Sequence, residues 1–220
     1  MNELTFLITL GTVHLVALAS PGPDFALVVQ NASRHGRRIG LAIAMGISLA
    51  ILLHATLALT GVSLLIQQQP LLSTLLRLAG GSYLLYLGIG ALKGFWGQRA
   101  KTPTSAQNLT APQGNPAPLL PSARQALLKG FTTNLLNPKA LVFFLSLLTS
   151  LVPPATPVWS KGAAVLLLWT LSLGWFSALA WLLTGQRLQR RIARAAPYID
   201  GVCGALFLLL GGGILVTTLV

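Results

Sequence analysis

Acidic residues are almost missing from this chain. Three Asp or Glu stand against fifteen Lys or Arg in 220 residues, and charged residues of both signs make up 8% of the total. Soluble domains carry about 25%, so a water-soluble globule of this composition would lack the polar groups to cover itself. Cysteine is nearly absent too. Cys203 alone excludes an internal disulfide, a two-cysteine metal site and thiol–disulfide electron transfer, each of which needs a pair. No His-Glu-x-x-His run is present, and the histidine nearest Ser20 in sequence is His14, with no serine–base pattern around it. The chain is therefore not read as an enzyme, and no cofactor or metal is expected.

What fills the sequence instead is apolar. Hydrophobic residues reach 54% and the mean hydropathy is +0.74, which marks an all-α integral membrane protein. The net charge of +12 would point to nucleic acid in a soluble protein. Here the basic residues cluster between apolar runs with almost no interleaved aromatics, so they read as topology signals and no nucleic-acid partner is expected.

Runs of about 20 apolar residues can cross the bilayer core. Six lie near residues 4–30, 40–66, 71–96, 127–151, 161–184 and 199–219. A Pro-, Ser-, Thr- and Gln-rich stretch divides them, which predicts one transmembrane domain over 1–220. Its first half is 1–96, a flexible cytoplasmic linker covers 97–123, and the second half is 124–220. Arg34, Arg37 and Arg38 follow the first span. Lys93, Arg99, Lys101, Arg124 and Lys129 follow the third, and Arg187, Arg190, Arg191 and Arg194 the fifth. The opposite loops hold only Lys161. Because Lys and Arg collect on the cytoplasmic side, both termini are predicted outside. Spans one and four then enter from opposite faces, the arrangement of a 3+3 inverted repeat.

Each half carries one interruption at a matching place. The first is Ser20-Pro21-Gly22-Pro23-Asp24; the second is Asn134-Leu135-Leu136-Asn137-Pro138-Lys139. Proline removes a backbone donor and pushes its predecessor out of helical geometry. Helix one should be broken there and helix four broken or at least kinked. A break leaves one half-helix end rich in bare carbonyls and another rich in bare N–H groups, which suit an ammonium and a carboxylate respectively. Asp24 is the only acid placed deep in the membrane. It reads either as a cap for the second half-helix or as a functional carboxylate, since an ionisable group at mid-membrane costs about 2.5–3.5 kcal/mol on insertion scales. Lys139 reads as its counterpart in the second half or as a cation snorkelling to the interface. His14 and His54, within spans one and two, are either proton-relay candidates or buried donors to nearby carbonyls. Gly90-x-x-x-Gly94 fits a homodimer motif, although helix packing within one chain explains the glycines of spans three and six as well.

The stretches "VHLVALASPGPDFALVVQ", "LLKGFTTNLLNPKALVFF" and "YIDGVCGALFLLLG" resemble the LysE/RhtB family of bacterial amino-acid exporters, its threonine-exporting branch most of all. The resemblance runs from about residue 10 to 215. It implies a multi-pass protein of the bacterial cytoplasmic membrane that moves amino acids outward, driven by the proton gradient. Its motif positions fall here on Ser20, Pro21, Gly22, Pro23, Asp24, Asn134, Asn137, Pro138 and Lys139. On this reading the chain is a proton-coupled exporter of a neutral amino acid such as threonine or homoserine, working by alternating access. Its partners are the substrate, protons and the lipid bilayer. A passive channel, an exporter of another small solute and an intramembrane enzyme are the alternatives.

Overall fold

A computed structural model describes residues 3–20, 22–62, 70–99, 122–152, 156–182 and 186–219, and among them every regular element is helical. The elements are α1 (Glu3–Ala19), α2 (Pro23–His35), α3 (Arg37–Leu57) with a π-helical turn at Ala58–Val62, α4 (Pro70–Arg99), α5 (Ala123–Leu135), α6 (Pro138–Leu151), α7 (Val158–Leu182) and α8 (Gln186–Leu219). Among the described residues, three segments are long and apolar enough to cross a membrane: Arg37–Thr60, Val158–Leu182 and Pro197–Leu219. The count becomes five if each of two bent pairs forms one span. Most of the linker, at 100–121, lies outside the described residues, as does Pro21.

The two bent pairs are α1 with α2 and α5 with α6, each inclined by 58°. Their causes are local. Pro23 is the first residue of α2 and Pro138 the first of α6, where the missing N–H would have had no partner in any case. Gly22 is extended (φ −163°, ψ −173°) and forms the cap position of α2. Asn137 caps α6, its Oδ1 accepting from Lys139 N at 3.0 Å. The second interruption, for which a kink would have sufficed, is as sharp as the first. Upstream, Ser122 and Gln125 start α5 with a reciprocal capping box.

One boundary departs from the sequence reading. Residues 185–198 were expected to connect spans five and six, but α8 is a single 34-residue helix that begins at Gln186 and passes through Pro197. The arginine cluster of that segment sits on its first turns, with side chains outside the described residues.

Burying apolar surface gains little against lipid tails, so helices in a membrane hold together through close van der Waals contact at small residues. The antiparallel α4–α8 pair shows this. A Cβ on Gly88 would stand 2.8 Å from the Gly204 carbonyl oxygen, and one on Gly204 2.9 Å from that of Gly88. The α3–α5 crossing is tighter still: a Cβ on Gly46 would overlap the Leu127 carbonyl, and one on Gly130 the Ile43 carbonyl. Gly90 behaves differently, with nothing within 4 Å of its would-be Cβ; the side-chain face of Gly94 lies outside the described residues.

Hydroxyl groups follow the same logic. Thr9, Thr12, Ser48, Thr56 and Thr170 each donate to the carbonyl four residues back, the partner that is always at hand where water is not. Trp96, near the end of α4, and Trp159, at the start of α7, are both well exposed, as suits aromatic side chains at a membrane interface.

Candidate functional site

The breaks of the two bent pairs meet. Asp24 stands in the first turn of α2, whose cap residue Gly22 is joined by no side-chain cap hydrogen bond. The carboxylate turns instead toward the other half of the chain. Its Oδ2 accepts from Asn134 Nδ2 at 2.9 Å and from Asn137 Nδ2 at 3.1 Å. Asn134 is in the last turn of α5 and Asn137 in the break itself. The capping role considered for Asp24 is thus not the one its side chain plays. Asn137 does two jobs, since its Oδ1 caps α6 while its Nδ2 holds Asp24.

Lys139 crosses in the opposite direction. Its ammonium donates to Ser20 Oγ, at the end of α1, at 2.9 Å. Each break therefore reaches into the other: the first sends Asp24 to the asparagines, and the second sends Lys139 to the serine. The two charges are held by neutral partners and do not form a direct Asp24–Lys139 pair, and Lys139 is drawn inward rather than snorkelling to an interface.

Two acceptors in this cluster are left over. Asp24 Oδ1 and Asn134 Oδ1 are buried without a hydrogen-bond partner among the described residues. An unpaired buried acceptor costs about 1–3 kcal/mol, so the cluster is one that a hydrogen-bond donor would stabilise.

The two span histidines flank this arrangement without bonding to Asp24. His14 Nε2 lies 2.7 Å from Ser172 Oγ on α7. Ser172 spends its one proton on the Leu168 carbonyl at 2.7 Å, so the imidazole N–H must be the donor to Ser172. His14 Nδ1 is buried without a partner. His54 Nε2 faces the Asn134 carbonyl at 3.3 Å and so donates to it, tying α3 to the end of α5. The ring of Phe144 lies against both, 5.6 Å from His14 and 5.9 Å from His54 between centroids.

A cavity of about 60 Å³ occupies the meeting point. Of the residues singled out by sequence, His14, Ser20, Gly22, Pro23, Asp24, Asn134, Asn137 and Lys139 line it. Pro138 contributes as the first residue of α6 rather than as a wall, and Pro21 lies outside the described residues. His54 is set back behind Asn134. The sequence reading missed the apolar wall, made by Ile51, Phe143, Phe144 and Phe176. The adjacent Phe143-Phe144 pair just after the second break was a visible signal, but side chains of that kind in a membrane span are ordinarily read as lipid contacts. Ser172 was missed for the same reason. Chemically, the cavity joins a carboxylate with a spare oxygen, an ammonium, two helix ends and an aromatic side, a set complementary to a small zwitterion with a modest side chain.

Comparison with known proteins agrees with the sequence motifs. The family model described as LysE type translocator matches residues 15–218. The threonine efflux protein of Escherichia coli K12 is 33% identical over 204 residues, covering 93% of this chain and 94% of that protein. The threonine efflux protein of Salmonella typhimurium is 33% identical over 90% of this chain and 92% of its own length. A leucine efflux protein of Klebsiella pneumoniae is 31% identical over 66% of this chain and 61% of its own. No solved structure matches.

Proposed function

The chain belongs to the LysE type translocator family, and from that membership and the geometry of the two breaks we propose that it exports a neutral amino acid, threonine- or homoserine-like, across the bacterial inner membrane in exchange for protons. One observation carries the reading: the single acid of the first break is held by both asparagines of the second, with one carboxylate oxygen and one asparagine oxygen left unpartnered. A substrate ammonium supplies the missing donors. Its carboxylate is taken by Lys139 and the uncapped N-terminus of α2, where bare N–H groups and the helix dipole favour an anion.

The cavity supports a mechanism of alternating access. At about 60 Å³ it is well below the roughly 150 Å³ that accommodates benzene, and threonine is larger than benzene. The walls must part to admit substrate, so this conformation is a contracted one. Asp24 takes either a proton or the ammonium. Protonation from outside releases substrate, and proton loss to the cytoplasm restores the site. Each charge moved down the membrane potential contributes about 2.3 kcal/mol per 100 mV. His14, which lines the cavity, and His54, bonded to the Asn134 backbone, are the relay candidates beside it.

The topology proposed for this cycle is six spans in two inverted halves. They are α1 with α2, α3 and α4, then α5 with α6, α7 and α8, with both termini outside. The glycine-lined antiparallel α4–α8 pair and the packing of α3 against α7 support it, because they join the third span to the sixth and the second to the fifth. The test is functional. An exporter-deficient strain expressing the chain should survive toxic amounts of threonine or homoserine, and proteoliposomes should move threonine against its gradient when a pH gradient is imposed. Flux that only follows the substrate gradient would make the protein a channel.

A further inference from the structure

A second, larger space of about 680 Å³ lies beside the Asp24 cavity, and the two share a wall made of Ser20 and Lys139. On its far side are Lys93 and Tyr86 of α4 and Asp200 of α8. Asp200 is half-buried and Lys93 exposed, and neither has a hydrogen-bond or ion-pair partner among the described residues. Ionisable side chains on a membrane-spanning body are expensive unless they face water or a polar occupant. A groove lined by one acid, Asp200, and two bases, Lys93 and Lys139, therefore suits water and a solute carrying both signs. Unlike the inner cavity, it is large enough for an amino acid with part of its hydration. Ser20 and Lys139, which line both spaces, are joined by a hydrogen bond at 2.9 Å.

We infer that this groove is the substrate vestibule: an amino acid is first held with its ammonium at Asp200 and its carboxylate at Lys93, and separation of Lys139 from Ser20 passes it to Asp24. The inference rests on the exporter reading above, and it assigns to Asp200 a role that the two breaks do not require. Lys139 is placed to follow the substrate carboxylate, since it faces both spaces.

Two variants test this in proteoliposomes that carry out threonine efflux. Asp200→Asn keeps the side-chain shape and removes the charge; the KM for efflux should rise about fivefold or more while the maximal rate is kept, as for loss of a binding charge away from the coupling group. Gly90→Cys, made with Cys203→Ser, puts a thiol in the groove where a Cβ meets nothing within 4 Å. A bulky charged thiol reagent should block efflux from that variant, and threonine should slow the labelling. An unchanged KM in Asp200→Asn, or full labelling at Gly90→Cys with no effect on efflux, overturns the vestibule and leaves the exporter reading standing. Absence of amino-acid flux in the unmodified protein overturns the exporter reading itself. Should Asp200→Asn fail to fold, the Gly90→Cys result decides.

Discussion

Asn134 Nδ2 donates to Asp24 Oδ2 at 2.9 Å across 110 positions of sequence. The bond ties the last turn of one broken helix to the first turn of another. A charged acceptor makes such a bond about twice as strong as a neutral one. The carboxylate is thus held in place while one of its oxygens stays unpartnered.

Asp24→Asn should abolish efflux driven by a pH gradient while the protein still inserts and purifies normally. Asparagine preserves the size of the side chain but carries no titratable proton and no negative charge for an ammonium. The check is threonine flux in proteoliposomes with and without an imposed gradient. Wild-type coupling in the variant would remove Asp24 from the mechanism.

Asn137 separates stability from function. Asn137→Ala loses the cap of α6 and one donor to Asp24; loss of a cap alone costs about 1 kcal/mol, so the thermal midpoint in detergent should fall. Asn137→Asp retains a capping oxygen but faces Asp24 with a second carboxylate. It should stay closer to the wild-type midpoint than Asn137→Ala while transporting poorly at neutral pH.

Lys139→Met removes the ammonium shared by the cavity and the groove and strands Ser20 Oγ. Efflux should drop about tenfold or more, in keeping with loss of a charge-assisted contact. Lys139→Arg should recover part of it, because charge is retained while the fork-shaped head group fits the Ser20 position less well. Equal activity in all three proteins would show that the crossing contact is only structural.

Gly46→Ala and Gly130→Ala should each destabilise the fold by about 1–3 kcal/mol or more, because the added methyl meets a backbone carbonyl of the facing helix, which cannot rotate away. Gly212→Ala meets nothing within 4 Å and should be neutral or slightly stabilising, since alanine is the better helix former. Thermal unfolding of the purified proteins separates the two classes.

The interruptions were legible because proline chemistry is local. Pro23 and Pro138 each begin a helix, as their missing N–H groups dictate, and composition alone required that those helices lie in a membrane. The continuous α8 was not legible, because a proline at Pro197 with a basic stretch before it reads equally as a loop. The exact roles of Asn134 and His54 were not legible either. Both depend on where the end of α5 falls against α3, and the Gly46–Leu127 and Gly130–Ile43 approaches that set this are contacts between segments far apart in the chain.

By itself, then, the sequence determined that the chain is an apolar, helical membrane protein, that two of its helices break, and that an acid and a base lie at those breaks. Hydropathy and proline act over a few residues, so one dimension suffices for them. Tertiary structure decided the pairing: Asp24 with the asparagines rather than with Lys139, Lys139 with Ser20, and an aromatic wall from Phe143, Phe144 and Phe176 around the cavity. Those partners are chosen by how closely glycine lets the helix backbones approach, a distance that no local pattern encodes.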